Sequence, residues 1–289
     1  MTSPNPIDEV TGTETTGHEW DGIRELNTPL PRWWLYVMYA TIVWSIGYWI
    51  VMPSWPLISS YSEGVIGHSD RVAVAERLAE ARAGQSEFRD QIAARPVQEV
   101  VDDAALRDFS IAGGASAFAV NCSQCHGRGA AGAAGYPNLN DDDWLWGGTP
   151  EAIHLSIQYG IRSGHDEARD SAMPAFLRDQ ILERGQVEDV VEFVLSLSGQ
   201  EHDGERADRG KAVFAEQCVA CHGDEGKGNI ELGAPNLTNS IWLFGGDRET
   251  ITSVVSNSRR GVMPAWEGRL DPVVLKQLAV FVHSLGGGQ

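Results

Sequence analysis

The amino-acid sequence predicts an all-α protein with one N-terminal transmembrane helix followed by two tandem copies of one helical domain. An uncharged apolar run lies near the N-terminus, a set of residues recurs at matched spacing in the rest of the chain, and strand patterns are scarce. We therefore divide the chain into five segments: a tail over 1–32, a transmembrane helix over 33–53, a linker over 54–104, a first domain over 105–200 and a second domain over 201–289.

The transmembrane helix is predicted from residues 33–52, which carry no charge. Twenty residues in a helix span roughly 30 Å, the thickness of the hydrocarbon layer of a bilayer. Aromatic residues cluster at both ends of the run, as they do at membrane–water interfaces: Trp33, Trp34, Tyr36, Tyr48, Trp49 and Trp55. A cleaved signal peptide is excluded because the run is too long, starts too late and lacks a small-x-small cleavage site.

The segments that flank this run have simpler patterns. Residues 1–20 are polar and lack an apolar period, which predicts a flexible tail. Residues 70–94 show apolar residues at helical spacing, and Pro96 ends the pattern. Because this apolar stripe is thin and rich in alanine, we expect the linker helix to lie against a partner or a domain.

The four cysteines of the chain form two Cys-x-x-Cys-His motifs, the pattern that attaches a c-type haem. The predicted attachment residues are Cys122, Cys125, Cys218 and Cys221, and the predicted iron ligands are His126 and His222. A zinc site would need four ligands around one metal, but 92 residues separate the two cysteine pairs. A thioredoxin-like redox pair needs a βαβ context that the sequence lacks.

The two motifs belong to an internal repeat. In each copy a helix carries the motif, a Met-Pro loop follows, and an amphipathic helix closes the copy, which is the pattern of a class I cytochrome c domain. We expect each copy to fold on itself, with Phe118 packed against Phe193 and Phe214 against Phe281. The aligned positions are Gly114, Phe118 and Cys122 with Gly210, Phe214 and Cys218, Pro137 with Pro235, Trp144 and Gly148 with Trp242 and Gly246, and Met173 with Met263.

Met173 and Met263 are the predicted sixth ligands of the two irons. Of the five methionines, one is the initiator and two lie in the apolar run, so one remains for each motif, followed each time by Pro-Ala-aromatic. A thioether opposite an imidazole fills the iron and raises its reduction potential relative to two imidazoles. We therefore expect electron transfer rather than oxygen binding. His165, in an insertion of the first copy, is the one competing ligand.

Four further residues are expected to support the haems. The backbone carbonyls of Pro137 and Pro235 are placed to accept the outer N–H of the two ligand histidines and to fix the rings. Trp144 and Trp242 are expected to donate their indole N–H groups to haem propionates.

Charge limits the partners and sets the orientation. A net charge of -18 and a pI of about 4.7 exclude nucleic acid and fit attraction of a basic partner. Arg24 and Arg32 precede the apolar run, whereas Arg71 is the one basic residue soon after it. Because c-type haem is attached on the outer side of the energy-coupling membrane, we expect a cytoplasmic tail and periplasmic haem domains in a bacterial inner membrane.

The order of parts resembles the di-haem cytochrome c subunit (subunit III, CcoP/FixP) of cbb3-type cytochrome c oxidases. The resemblance covers nearly the whole chain and is most specific in His18-Glu-Trp-Asp-Gly-Ile23, in Leu26–Trp34 and in Pro53-Ser-Trp-Pro56. It implies two covalently bound c-type haems in a membrane subunit where electrons enter from cytochrome c. It implies as partners the mono-haem cytochrome subunit and the catalytic haem–copper subunit, which reduces oxygen and pumps protons.

Two alternatives remain open on the sequence. The chain fits a membrane cytochrome subunit of a periplasmic dehydrogenase, which also carries electrons. A di-haem peroxidase is the second alternative, but it needs an iron with an open or displaceable ligand, and both Met-Pro motifs are intact. In the oxidase interpretation, this chain has no catalytic residues of its own.

Overall fold

The computed structural model describes residues 5–287 and is mostly helical, as predicted, with one small sheet of two strands. It divides into two units, Met1–Ala83 and Gly84–Gln289. The strands are β1 (Thr15–Trp20) and β2 (Ile23–Leu26), and the helices are α1 (Arg32–Val51), α2 (Asp70–Gly84), α3 (Ser86–Ala94), α4 (Val97–Asp102), α5 (Ala104–Asn121), α6 (Ser123–His126), α7 (Pro150–Tyr159), α8 (Arg184–Leu197), α9 (Gly204–Gln217), α10 (Val219–His222), α11 (Arg248–Asn257) and α12 (Pro272–His283).

The N-terminal segment contains a β-hairpin, so the prediction of a flexible tail over 1–20 is wrong for its described part. β1 and β2 pair antiparallel across Asp21 and Gly22, which both have positive φ, 49° and 85°. A two-residue turn of this kind matches the twist of paired strands and favours Asp-Gly. Thr15 is fully buried, and its hydroxyl donates to the carbonyl of Pro6 at 2.8 Å.

Helix α1 lies within two residues of the predicted transmembrane segment at each end. It is the one helix in residues 5–287 that is long and apolar enough to cross a membrane, and none of its residues is buried within the chain. The N–H groups of Val65 and Ile66 donate to the carbonyls of Ile50 and Val51 at 3.0 and 3.3 Å. The segment after α1 therefore donates hydrogen bonds to two carbonyls at the C-terminal end of the helix, which have no partner within the helix.

The predicted linker helix is two helices, α2 and α3, and they differ in burial. Helix α2 has no buried residue, whereas Ile92 of α3 and Val97 and Val100 of α4 are almost completely buried. The second half of the predicted linker therefore belongs to a helical core rather than to a connection.

The helices that follow form two cores, which we call lobe A (α3–α7 and α12) and lobe B (α8–α11). Helix α12 packs on α5, and α8 packs on α9. The prediction that each copy folds on itself is wrong. Phe118 packs against Phe281, with ring centroids 5.3 Å apart, and Phe214 packs against Phe193 at 5.1 Å. Each copy therefore packs its first helix on the last helix of the other copy.

Two glycines permit these helix crossings. A β-carbon at Gly114 would overlap the carbonyl oxygen of Gln277 in α12, and one at Gly210 would overlap that of Asp189 in α8. The backbones therefore meet closely, because neither glycine carries a side chain. Along the chain, lobe B is continuous and is inserted between α7 and α12 of lobe A.

Candidate haem-binding sites

Each Cys-x-x-Cys-His motif lies at the end of the first helix of its copy. Helix α5 ends at Asn121 and α9 at Gln217, and a helical turn, α6 or α10, follows each. Cys122 and Cys218 pack partly against the cores of lobes A and B, whereas the second thiol of each motif is exposed. The two thiols of a motif thus lie on one helical turn, the first against the core and the second exposed to solvent.

The two histidines predicted as ligands contact the backbone carbonyls that the sequence predicted for them. Nδ1 of His126 lies 3.1 Å from the carbonyl oxygen of Pro137, and Nδ1 of His222 lies 3.1 Å from that of Pro235. Because a carbonyl only accepts, Nδ1 carries the hydrogen and the lone pair of Nε2 is left for a metal. Burial lowers the pKa of both imidazoles, which keeps them neutral.

The first thiol of each motif is also held neutral in the folded chain. Burial raises the pKa of Cys122 to about 11, and neighbouring Cys125 adds to the effect. In the second motif, burial and Cys221 raise the pKa of Cys218 to about 11 in the same way. The two motifs therefore have matching electrostatic environments.

Each predicted methionine ligand packs against the core that also contacts the cysteine motif of the other copy. Met263 packs against the core of lobe A together with Cys122. Met173 packs against the core of lobe B together with Cys218. Each lobe therefore holds two thiols, one imidazole with a free lone pair and one thioether, a donor set that fits a c-type haem.

Hydrogen bonds to the methionine's own backbone hold each methionine loop in its lobe. Met263 and Ile161, which follows α7, exchange two backbone hydrogen bonds of 2.9 and 3.0 Å. In lobe B, the hydroxyl of Ser258 donates to the carbonyl of Met173 at 2.6 Å. Sequence reasoning missed these contacts because Ile161 and Ser258 carry no signal of their own in the sequence.

His165 is placed differently from an iron ligand. Its Nδ1 accepts the N–H of Glu167 at 3.0 Å, and its Nε2 lies 3.1 Å from the carboxylate of Glu267. Its ring also stacks on Tyr159, with centroids 4.9 Å apart. Since both ring nitrogens are engaged, His165 does not compete with the methionines.

The two tryptophans explain the paired glycines that follow them. A β-carbon at Gly148 would overlap the indole of Trp144, and one at Gly246 would overlap that of Trp242. The indole N–H of Trp144 donates to the carbonyl of Gly287. The predicted bond from this N–H group to a haem propionate stays a prediction.

The two cysteine pairs lie in different lobes, so a single zinc site made from both does not form. Within residues 5–287, no group of three or more His, Cys, Asp or Glu side chains is arranged to hold a metal ion directly.

Three family models match separate parts of the chain. "N-terminal domain of cytochrome oxidase-cbb3, FixP" matches residues 12–59, "Cytochrome c" matches residues 111–198, and "Cytochrome C oxidase, cbb3-type, subunit III" matches residues 205–282. Together they cover the hairpin, the apolar helix and both haem motifs.

Curated relatives are similar over almost the whole chain. The chain is 52% identical to "Cbb3-type cytochrome c oxidase subunit FixP" of Bradyrhizobium diazoefficiens over 290 residues, which covers 100% of both chains. It is 50% identical to the FixP subunit of Sinorhizobium medicae, covering 98% of both chains. It is 49% identical to "Cbb3-type cytochrome c oxidase subunit CcoP" of Cereibacter sphaeroides, covering 95% of both chains.

Proposed function

The chain belongs to the FixP/CcoP family of cbb3-type cytochrome c oxidase subunits, and on that premise we propose that it holds two c-type haems, one in each lobe. It is an electron-transfer subunit of a cbb3-type oxidase, and its apolar helix anchors it in a membrane. Membership of this family favours the oxidase interpretation over the dehydrogenase interpretation. A c-type haem supplies a one-electron redox centre when bound.

The ligands of each haem come from both copies of the repeat. We assign Cys122, Cys125, His126 and Met263 to lobe A, and Cys218, Cys221, His222 and Met173 to lobe B. The observation that supports this pairing is that each methionine packs against the same hydrophobic core as the first cysteine of the other copy's motif. When a haem is bound, the thiols would tether it, and the imidazole and the thioether would be its two iron ligands, which would leave no coordination position open to other ligands.

Four nearby groups complete the assignment. The carbonyls of Pro137 and Pro235 hold the hydrogen of Nδ1 in their histidines, which directs Nε2 to the iron. Trp144 in lobe A and Trp242 in lobe B keep their proposed roles as donors to haem propionates.

The partners and the orientation complete the proposal. Because relatives are named as subunits of a cbb3-type oxidase, the partners are its catalytic haem–copper subunit and its mono-haem cytochrome subunit, with cytochrome c as the electron donor. The two arginines before the apolar helix, Arg24 and Arg32, support an orientation with residues 1–32 in the cytoplasm and both lobes in the periplasm of a bacterial inner membrane. Co-purification of a copper-containing oxidase with this chain tests the assignment; a dehydrogenase in its place would contradict it.

The exchanged pairing is tested in a chain that carries one haem. Replacing Cys218 and Cys221 by alanine removes attachment in lobe B and leaves the haem at His126. In that chain, Met263→Leu should lower the reduction potential and abolish the weak long-wavelength absorption of ferric His/Met haem. Met173→Leu is the matched control and should change neither. The reverse result would contradict the pairing.

A further inference from the structure

One guanidinium contacts the loops of both methionines. Arg162 follows Ile161 at the point where the chain leaves lobe A. Its Nε donates to the carbonyl of Gly261 at 2.7 Å, and its Nη1 donates to the carbonyl of Ser171 at 2.8 Å. Gly261 lies two residues before Met263, and Ser171 lies two residues before Met173.

We propose that Arg162 is a positioning residue that holds both methionine loops at once and so couples the sixth ligands of the two irons. The proposal rests on the proposed function, because it takes Met173 and Met263 as the ligands. In this role Arg162 touches neither iron and acts through the backbone of each loop.

The conformation of Arg162 supports a specific use of its side chain. Its φ is 52°, a left-handed conformation that is disfavoured for residues with a β-carbon and that glycine adopts freely. Burial lowers the pKa of Arg162, and Arg260 nearby acts in the same direction while Asp170 opposes it. The position therefore holds a desolvated charge in a disfavoured backbone conformation, where glycine would avoid both costs.

The bonding partners of this charge are main-chain carbonyls rather than a carboxylate. Of the ion pairs formed within residues 5–287, none includes Arg162. The planar guanidinium presents donors in fixed directions, so its bond to one carbonyl fixes the direction of its bond to the other. A shift of one loop therefore strains the contact with the other loop.

The contact lies between backbone segments that already meet. A β-carbon at Gly160 would overlap the carbonyl oxygen of Met263, and Ile161 is bonded to the backbone of the same methionine. These contacts fix Arg162 relative to Met263. Its second bond, to Ser171, then extends the fixed arrangement to the loop of Met173.

Competition with added imidazole, in the full-length membrane-bound chain, tests the proposal. Imidazole binds a ferric haem only when it displaces the methionine, so its apparent affinity reports how firmly each loop is held. Arg162→Gln should raise the imidazole affinity of both haems by about tenfold, the size expected for a lost charged hydrogen bond. It should also lower both reduction potentials.

Arg162→Lys separates position from charge. Lysine keeps the positive charge but lacks the planar fork, so we expect both imidazole affinities to rise as in Arg162→Gln. Wild-type behaviour of Arg162→Lys, beside a changed Arg162→Gln, would assign the effect to charge and overturn the proposal. Should Arg162→Gln fail to accumulate, the lysine variant carries the same expectation.

Arg178→Gln is the matched control. Arg178 is exposed, and its Nη1 donates to the carbonyl of Asn257 at 3.2 Å, in lobe B. Its loss removes the same charge but should change the haem of lobe B at most. A change of only one haem in Arg162→Gln would overturn the coupling while the ligand assignment stands. Failure of the ligand assignment would appear separately, in the methionine variants.

Discussion

Lobe B and the four helices α5, α6, α7 and α12 of lobe A have equivalent positions in the repeat, but different contacts stabilise the two lobes. In lobe A, Nζ of Lys276 on α12 donates to the carbonyls of Ile92, Ala93 and Arg95, at 2.9, 3.0 and 2.6 Å. These carbonyls lie in and just after α3, a helix from the predicted linker. Lobe A therefore depends on elements from both ends of the Gly84–Gln289 unit.

Lobe B is held by ion pairs between neighbouring helices. Glu192 of α8 is buried and accepts bonds of 2.6 and 3.1 Å from Arg248 of α11. Arg206 of α9 pairs with Glu188 at 2.7 Å, and Arg209 pairs with Asp189 at 2.8 Å. The helices of lobe B follow one another in the chain, whereas those of lobe A come from both sides of lobe B, so the sequence repeat and the folded lobe do not coincide.

The largest expected effect comes from ending the chain after Arg260. This truncation removes Met263 and α12, whose buried residues include Leu278, Ala279 and Val280. Each large apolar side chain contributes roughly 1.5–3 kcal/mol when buried, and a domain is stable by about 5–15 kcal/mol. Lobe A should therefore unfold while lobe B keeps its His/Met spectrum. Loss of the haem at His222 instead would support lobes that follow the repeat.

The next effect distinguishes the two helix crossings. Gly114→Ala should separate α5 from α12 and cost lobe A about 3 kcal/mol, because overpacking meets backbone that cannot move away. Limited proteolysis should then cut α12 while α8 stays resistant. Gly210→Ala is the mirror control and should expose α8. Cleavage of α8 in the Gly114 variant would contradict the exchange of helices.

A smaller effect is expected for Glu192→Gln, which keeps the shape of the side chain but removes its charge. A hydrogen bond to a charged partner is worth about 1.5–3 kcal/mol, and we expect the lower end because Arg248 is half exposed. Denaturant unfolding followed at each haem should show the loss in lobe B and leave lobe A unchanged.

The same variant should change the pH dependence of lobe B. The hydrogen bond from Arg248 lowers the pKa of Glu192 below its usual 4.5. Its contribution to the free energy of unfolding is therefore present above that value and is lost as pH falls through the lowered pKa. In Glu192→Gln, the free energy of unfolding of lobe B should fall less steeply as the pH is lowered. An unchanged fall would show that other carboxylates cause the acid sensitivity.

The smallest effect is expected for Arg209→Gln. Arg209 forms two bonds with Asp189 but is itself more than half exposed. Exposed pairs of this kind contribute little to stability and weaken with salt. Unfolding of lobe B should therefore shift slightly at low ionic strength and by less at high ionic strength. A large loss of stability that does not depend on salt would show that the pair is structural.

The sequence predicted local features well because their causes are local. The apolar run, the turn that carries Cys122 and His126, and the hydrogen bond from His126 to Pro137 each depend on residues that lie close together in the chain. The Asp21-Gly22 turn was equally readable, but the polar composition around it indicated a tail.

The pairing of the two copies was not predictable for a physical reason. Gly114 and Gly210 present equivalent surfaces for a crossing helix, and Phe193 and Phe281 are equivalent knobs on the helices that cross. Local sequence therefore favours both pairings equally. The two pairings differ in the path of the chain after α7, where the backbone of Ile161 is hydrogen-bonded to that of Met263. No short sequence pattern predicts that contact.

The insertion of lobe B fixes the order in which the sites close during synthesis. Lobe B ends with α11 and has all of its helices before the chain is finished, whereas lobe A waits for α12, the last helix among residues 5–287. The motif at Cys122 is thus the first to be translated and the last to be enclosed. We therefore expect its thiols to stay accessible for longer during synthesis than those at Cys218, although they leave the ribosome earlier.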